Sequence, residues 1–101
     1  MKIVVITMIS GLDVIGELEG EPRDTGFLKL RFPCVIQMPK PNTVGIHPLL
    51  RGSAVYAGSY AMVNMRAVMW VNDPADALRK AYQANRAGLA VPEKFPVELN
   101  G

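Results

Sequence analysis

Apolar residues run almost unbroken from Ile3 to Ile9, rich in β-branched side chains and too short for a helix. Ser10-Gly11-Leu12-Asp13 supplies turn chemistry. Residues 14–19 then alternate, with Val14, Gly16 and Leu18 on one face and Glu17 and Glu19 facing water on the other. Gly16 inside that strand marks a sharp bend or a close backbone approach, as where a small sheet curls into a barrel. Glu21-Pro22-Arg23-Asp24-Thr25-Gly26 reads as a polar hairpin loop. Beyond it Leu28, Leu30 and Phe32 alternate with Lys29 and Arg31, predicting a half-buried strand with a basic outer face. Pro33 has no ladder donor and falls at an edge or bulge, past which Val35 to Met38 continues the strand.

Residues 39–60 are punctuated by Pro39, Pro41, Asn42, Gly45, Pro48, Gly52 and Gly58. They read as a long loop carrying one short strand, and a loop of that length is a candidate functional loop. Regularity returns with residues 61–65 and 68–71, two short strands flanking a very tight turn at Arg66-Ala67. Asn72-Asp73-Pro74 is a helix start, with Asn72 or Asp73 capping and Pro74 in the first turn. The helix is expected over 74–87, with Leu78, Ala81 and Tyr82 inward and Asp76, Arg79, Lys80, Gln83 and Arg86 in water. Gly88 is placed to end it, and residues 89–101, with Pro92 and Pro96, are expected to be extended and irregular. No internal repeat or low-complexity tract appears.

At 101 residues the chain is one domain with a modest core, which assembly with copies of itself would reinforce. Half the residues are hydrophobic and a fifth are charged, a globular composition. The opening apolar run is too short for a signal segment, and no stretch reaches the roughly 20 apolar residues of a membrane span. The expectation is a soluble cytoplasmic protein with no membrane partner. Charge is unevenly laid out. Residues 1–24 carry two bases against five acids, whereas residues 25–71 carry Lys29, Arg31, Lys40, Arg51 and Arg66 with no acid at all. A one-signed field attracts phosphates, unless acids from distant segments pair with these bases on the folded surface.

Enzymatic chemistry finds little purchase. His47 stands between Ile46 and Pro48 with no acid nearby in sequence to orient it. Cys34, the single cysteine, follows Pro33 in an apolar strand, where a buried inert thiol is the ordinary outcome. Glu17 and Glu19 read as solvated strand-face carboxylates, and no glycine-rich phosphate loop occurs. No catalysis, cofactor or metal is expected. The bases Lys29, Arg31, Arg51 and Arg66, with Tyr56, Tyr60 and His47 interleaved, instead suit single-stranded nucleic acid: cations neutralise phosphate while flat rings stack bases.

Gly11 to Glu17, Pro33 to Met38 and Asp73-Pro74, which together span most of the chain, resemble the Sm-like proteins, most closely the phage-associated branch. Ile6 to Leu18 is similar to the opening of the first Sm motif, with Gly16 as its strand glycine, Asp24 as its closing acid and Leu28-Lys29-Leu30 as the third strand. Two departures stand out. Phe27-Leu28 occupies the place where the family carries a base-binding asparagine, and the strong helix follows the strands where the family's precedes them. Two segments compete for the second Sm motif: Leu49 to Val55, with Arg51-Gly52, and Met62 to Val71, with Arg66-Ala67, the latter fitting the strand–turn–strand mechanics better.

The resemblance implies a small, strongly bent five-stranded antiparallel barrel over residues 2–71, with a C-terminal helix. It implies a cyclic homo-oligomer of about five to seven subunits, closed by heterologous edge pairing. The implied partner is single-stranded RNA, or DNA, in RNA or DNA processing inside a host cell. The alternative is a ring that serves only as an assembly scaffold. In a ring, Arg66 would repeat as a circle of positive charge, with Lys29 or Arg31 on an acid-free face. Asn64 is the nearest polar side chain able to read a base edge, and Arg51 and His47 would contact a strand from the long loop.

Overall fold

The computed structural model describes residues 2–20, 26–41, 43–49, 60–87 and 97–98. The architecture is mainly β and antiparallel, with one helix near the C-terminus. The strands are β1 (Lys2–Met8), β2 (Asp13–Glu19), β3 (Phe27–Lys40), β4 (Thr43–Pro48), β5 (Tyr60–Asn64), β6 (Val68–Asn72) and β7 (Val97–Glu98). Helix α1 covers Asp76–Ala87, and a single 3-10 turn, Met65–Ala67, joins β5 to β6. The ladders run β6-β1-β2-β3-β4-β7, with β5 attached separately to β3.

The 14-residue strand β3 organises this layout. Its first part, Phe27 to Arg31, pairs with β5, and its later part, Cys34 to Lys40, pairs with β4. β2 runs beside both parts, with the register breaking between Ile15 and Glu17. The break coincides with Phe32, which has a φ of +49°, and with Pro33. Unbroken alternation would turn Phe32 inward with Leu28 and Leu30. It is half-buried instead, because the extra residue at the bulge interrupts the alternation. Opposite, a Cβ built on Gly16 would lie 3.3 Å from the Arg31 carbonyl oxygen and 3.4 Å from the Leu30 Cβ. The glycine is there because the bent backbone comes that close.

The two faces of the sheet carry separate apolar clusters. On the inner face Val4, Ile6, Val14, Leu28 and Leu30 are buried, with Met8, Leu18, Val63, Met65 and Val68 packed against them. On the outer face Ile15, Cys34, Val44 and Ile46 are covered by Leu78 and Tyr82 of α1. Tyr82 is fully enclosed, and its hydroxyl donates to the carbonyl of Phe32 at 2.9 Å and approaches that of Arg31 at 3.3 Å. The helix therefore clamps the bend of β3. Its inward stripe is the one that the helical spacing predicts.

Three expectations change, and a fourth gains its place: residues 39–60 read as a long loop carrying one short strand, and among the described residues that strand is β4, at Thr43–Pro48, with Val44 and Ile46 in the core. Pro41, Asn42, Gly45 and Pro48 mask that strand in the sequence. The helix begins at Asp76, and the Ala75 carbonyl accepts from the Arg79 amide at 2.9 Å, so neither Asn72 nor Asp73 caps it. The ring of Pro74 holds Asp73 out of helical geometry, and Asp73 pairs with Lys2 at 3.3 Å. Part of the C-terminal segment, Val97–Glu98, is a strand on β4. Finally, with β4 and β7 the sheet exceeds the five strands expected of the barrel, and the ladder path is open: β5 and β6 are joined by their turn, not by hydrogen-bonded pairing. Among the described residues no helix is long and apolar enough to cross a membrane.

Candidate nucleic-acid interface

Alternation along β3 and β5 sorts their side chains. Leu28, Leu30, Ala61 and Val63 turn inward, while Phe27, Lys29, Arg31, Tyr60, Met62 and Asn64 turn outward. Register then sets the outward residues in rows: Glu17–Arg31–Tyr60, Glu19–Lys29–Met62, and Phe27 opposite Asn64. Phe27, Tyr60 and Met62 are each about half exposed. The Lys29 ammonium lies 4.2 Å from the centre of the Tyr60 ring, a cation–π contact made on the diagonal between strands.

The bases on this face differ in their partners. Glu19 stands 3.7 Å from Lys29 and 3.8 Å from Arg31, ion-pair distances without a hydrogen bond. The expected acid-free face is therefore not acid-free at Lys29 and Arg31: strand pairing carries a carboxylate from the acidic first quarter of the chain to them. Arg66 is different. It projects from the 3-10 turn, is exposed, and makes no ion pair among the described residues.

That turn is firmly held. The Met65 amide donates to the Gly26 carbonyl at 2.9 Å, and the Ile9 amide donates to the Ala67 carbonyl at 2.8 Å. The turn thus spans from the start of β3 to the end of β1. Asn64 caps it, its Oδ1 accepting from the Arg66 amide at 2.9 Å. The Asn64 oxygen is committed to the backbone, and only its amide N–H groups are left for a ligand.

Of the residues singled out in the sequence, Lys29, Arg31, Asn64 and Arg66 lie on β3, β5 and their adjoining turn, with Tyr60 among them. His47 is not brought there. It lies on β4 opposite Val35, in the row Ile6–Val14–Val35–His47 on the other face, its Nε2 enclosed without a hydrogen-bond partner. Arg51 and Tyr56 lie outside the described residues. Phe27 and Met62 escape the sequence reading, although the period that turns Lys29 outward turns Phe27 outward too. Cys34 is buried, and burial pushes its thiol up to about 11, away from nucleophilic character.

The far edge of the same outer face carries Trp70, opposite Thr7, whose hydroxyl donates to Asp13 at 2.6 Å. Trp70, Met69 and Val71 of β6 are all exposed. Strands β5 and β6 each pair on one side only, so each presents a free edge among the described residues. No protein-family model and no curated protein matches the chain.

Proposed function

We propose that this chain is an Sm-like, non-enzymatic protein that assembles into a ring and binds single-stranded nucleic acid, RNA rather than DNA, during RNA or DNA processing. The observation that carries this reading is the grouping of Phe27, Lys29, Arg31, Tyr60, Asn64 and Arg66 on one sheet face and its turn. Rings that stack bases, cations for phosphate and an amide for a base edge are the components that single-strand recognition uses. Support for the Sm-like barrel comes from the strand order β6-β1-β2-β3 with β5 on β3, and from the capped turn that bridges β5 to β6. Five strands curl in that reading, with β4 and β7 as an extension. Free edges on β5 and β6 support assembly, since a monomer leaves both unpaired.

A second reading, a scaffold ring without nucleic acid, is favoured by one observation: Glu19 offsets Lys29 and Arg31, leaving Arg66 as the exposed cation of the face without an ion pair among the described residues. Salt separates the two. Light scattering gives the assembled mass, and single-stranded RNA binding is measured at about 50 and 200 mM salt. Arg66→Ala should weaken binding and lower the salt slope by roughly 0.7 for each phosphate it no longer neutralises, at unchanged mass. Lys80→Ala, on the solvent side of α1, should change nothing. Equal weakening by both variants means diffuse surface charge; no binding at either salt supports the scaffold.

A further inference from the structure

We infer that the nucleic-acid face is shared between subunits, with Trp70 of one copy completing the platform formed by Phe27, Tyr60 and Met62 of the next. The inference rests on the assembly proposed above and adds a residue to its site. Trp70 and Tyr60 belong to the same outer face but to opposite edges of the sheet. The register follows that face from Tyr60 through Arg31 to Glu17 and Ile3, and from Thr7 to Trp70. Within one subunit β3, β2 and β1 lie between the strands that carry them. When the free edge of β6 in one copy pairs with the free edge of β5 in another, the outer faces join. Side chains on the same face of paired strands then stand about 5 Å apart.

The occupant of both edges is a second copy of this chain. Strands β5 and β6 are each five residues long, and neither contains a charged residue or a proline. Charges and prolines are the devices by which proteins protect a permanently free edge. Tyr60, Met62, Met69, Trp70 and Val71 are between 39% and 54% exposed, on the order of 400 Å² of apolar side chain in all. A standard interface takes roughly 800 Å² from each partner. Each boundary takes one edge from each partner and falls short of that value by itself, so the assembly depends on ring closure, which puts both edges of every subunit to use.

The chemistry of the shared site is stacking. The Lys29 ammonium already lies against the Tyr60 ring. A neighbouring indole beside that ring adds a second flat surface for a base, while Arg66 remains for phosphate. The subunit boundary then becomes the place where a strand is held.

Trp70 is the only tryptophan of the chain, so its emission reports on the site directly. Oligouridine is titrated into the assembled protein, and Trp70 emission is followed alongside the anisotropy of labelled RNA. The expected result is quenching that saturates with binding. Trp70→Ala should weaken binding about 5- to 150-fold, the span for loss of one base-stacking ring. Trp70→Phe should recover most of it. Mixing Trp70→Ala subunits with Tyr60→Ala subunits should restore part of the tight binding, because some boundaries join an intact Tyr60 to an intact Trp70. Should Trp70→Ala fail to assemble, the wild-type quenching and Trp70→Phe decide. An assembled protein that binds RNA without quenching, or a mixture that regains nothing, overturns the shared site and leaves the ring reading intact. A monomeric mass at every concentration overturns both.

Discussion

Removing one oxygen from the core tests whether α1 clamps the bend of β3. In Tyr82→Phe the ring keeps its apolar packing among Ile15, Cys34, Val44 and Ile46, while the hydroxyl donor is gone. The Phe32 carbonyl then keeps the Cys34 thiol, at 3.7 Å, and the Arg31 carbonyl is deprived of the hydroxyl that stood 3.3 Å away. An orphaned buried acceptor costs about 1–3 kcal/mol, and the remaining sulfur partner argues for the lower part, about 1–2 kcal/mol. For a domain of this size that corresponds to a drop of roughly 5–15 °C in Tm. Urea unfolding should show a lower midpoint with an unchanged slope, the sign of reduced stability without altered compactness. Tyr82→Ala, which also empties the site of the ring, should cost about 3–5 kcal/mol. A Tyr82→Phe loss below about 0.5 kcal/mol refutes the clamp and reduces the residue's role to packing.

The helix face and the buried thiol supply two more tests. Leu78→Ala removes a buried side chain from the outer-face cluster and should cost about 2–5 kcal/mol. Lys80→Ala should cost less than about 0.5 kcal/mol; equal losses in thermal unfolding would contradict the helix orientation. Burial raises Cys34 from 9.0 to about 11, so the folded state favours the neutral thiol. Stability should be unaffected below about pH 9 and fall as pH rises toward about 11, at a slope of up to roughly 1.4 kcal/mol per unit. Tyr82, raised above its ordinary value chiefly by burial and then by Cys34, acts in the same direction. Urea titrations at several pH values should show a shallower alkaline decline in Cys34→Ala than in the wild type.

What the chain determined without its tertiary structure follows from short-range periodicity. Alternation at Leu28, Lys29, Leu30 and Arg31 assigns inward and outward positions, since neighbouring strand residues point to opposite faces. Spacing at Leu78, Ala81 and Tyr82 likewise assigns the buried side of α1. Punctuation by Gly16 and Pro33 locates the bend, because each breaks a rule that regular strands obey. The tertiary structure decided which segments meet. Segment by segment, residues 25–71 carry only bases, yet register puts Glu19 beside Lys29 and Arg31 and leaves Arg66 without an ion pair among the described residues. Asn64 has an unremarkable sequence context, and only the turn geometry commits its oxygen to the Arg66 amide. β4 is hidden by Gly45, Pro48 and the preceding Pro41, and emerges because Val44 and Ile46 find Ile15, Leu78 and Tyr82 to pack against. Trp70 and Tyr60 share a face though neither their separation nor their neighbours in sequence show it. Pairing between distant strands depends on register across the whole sheet, and no local pattern carries that information.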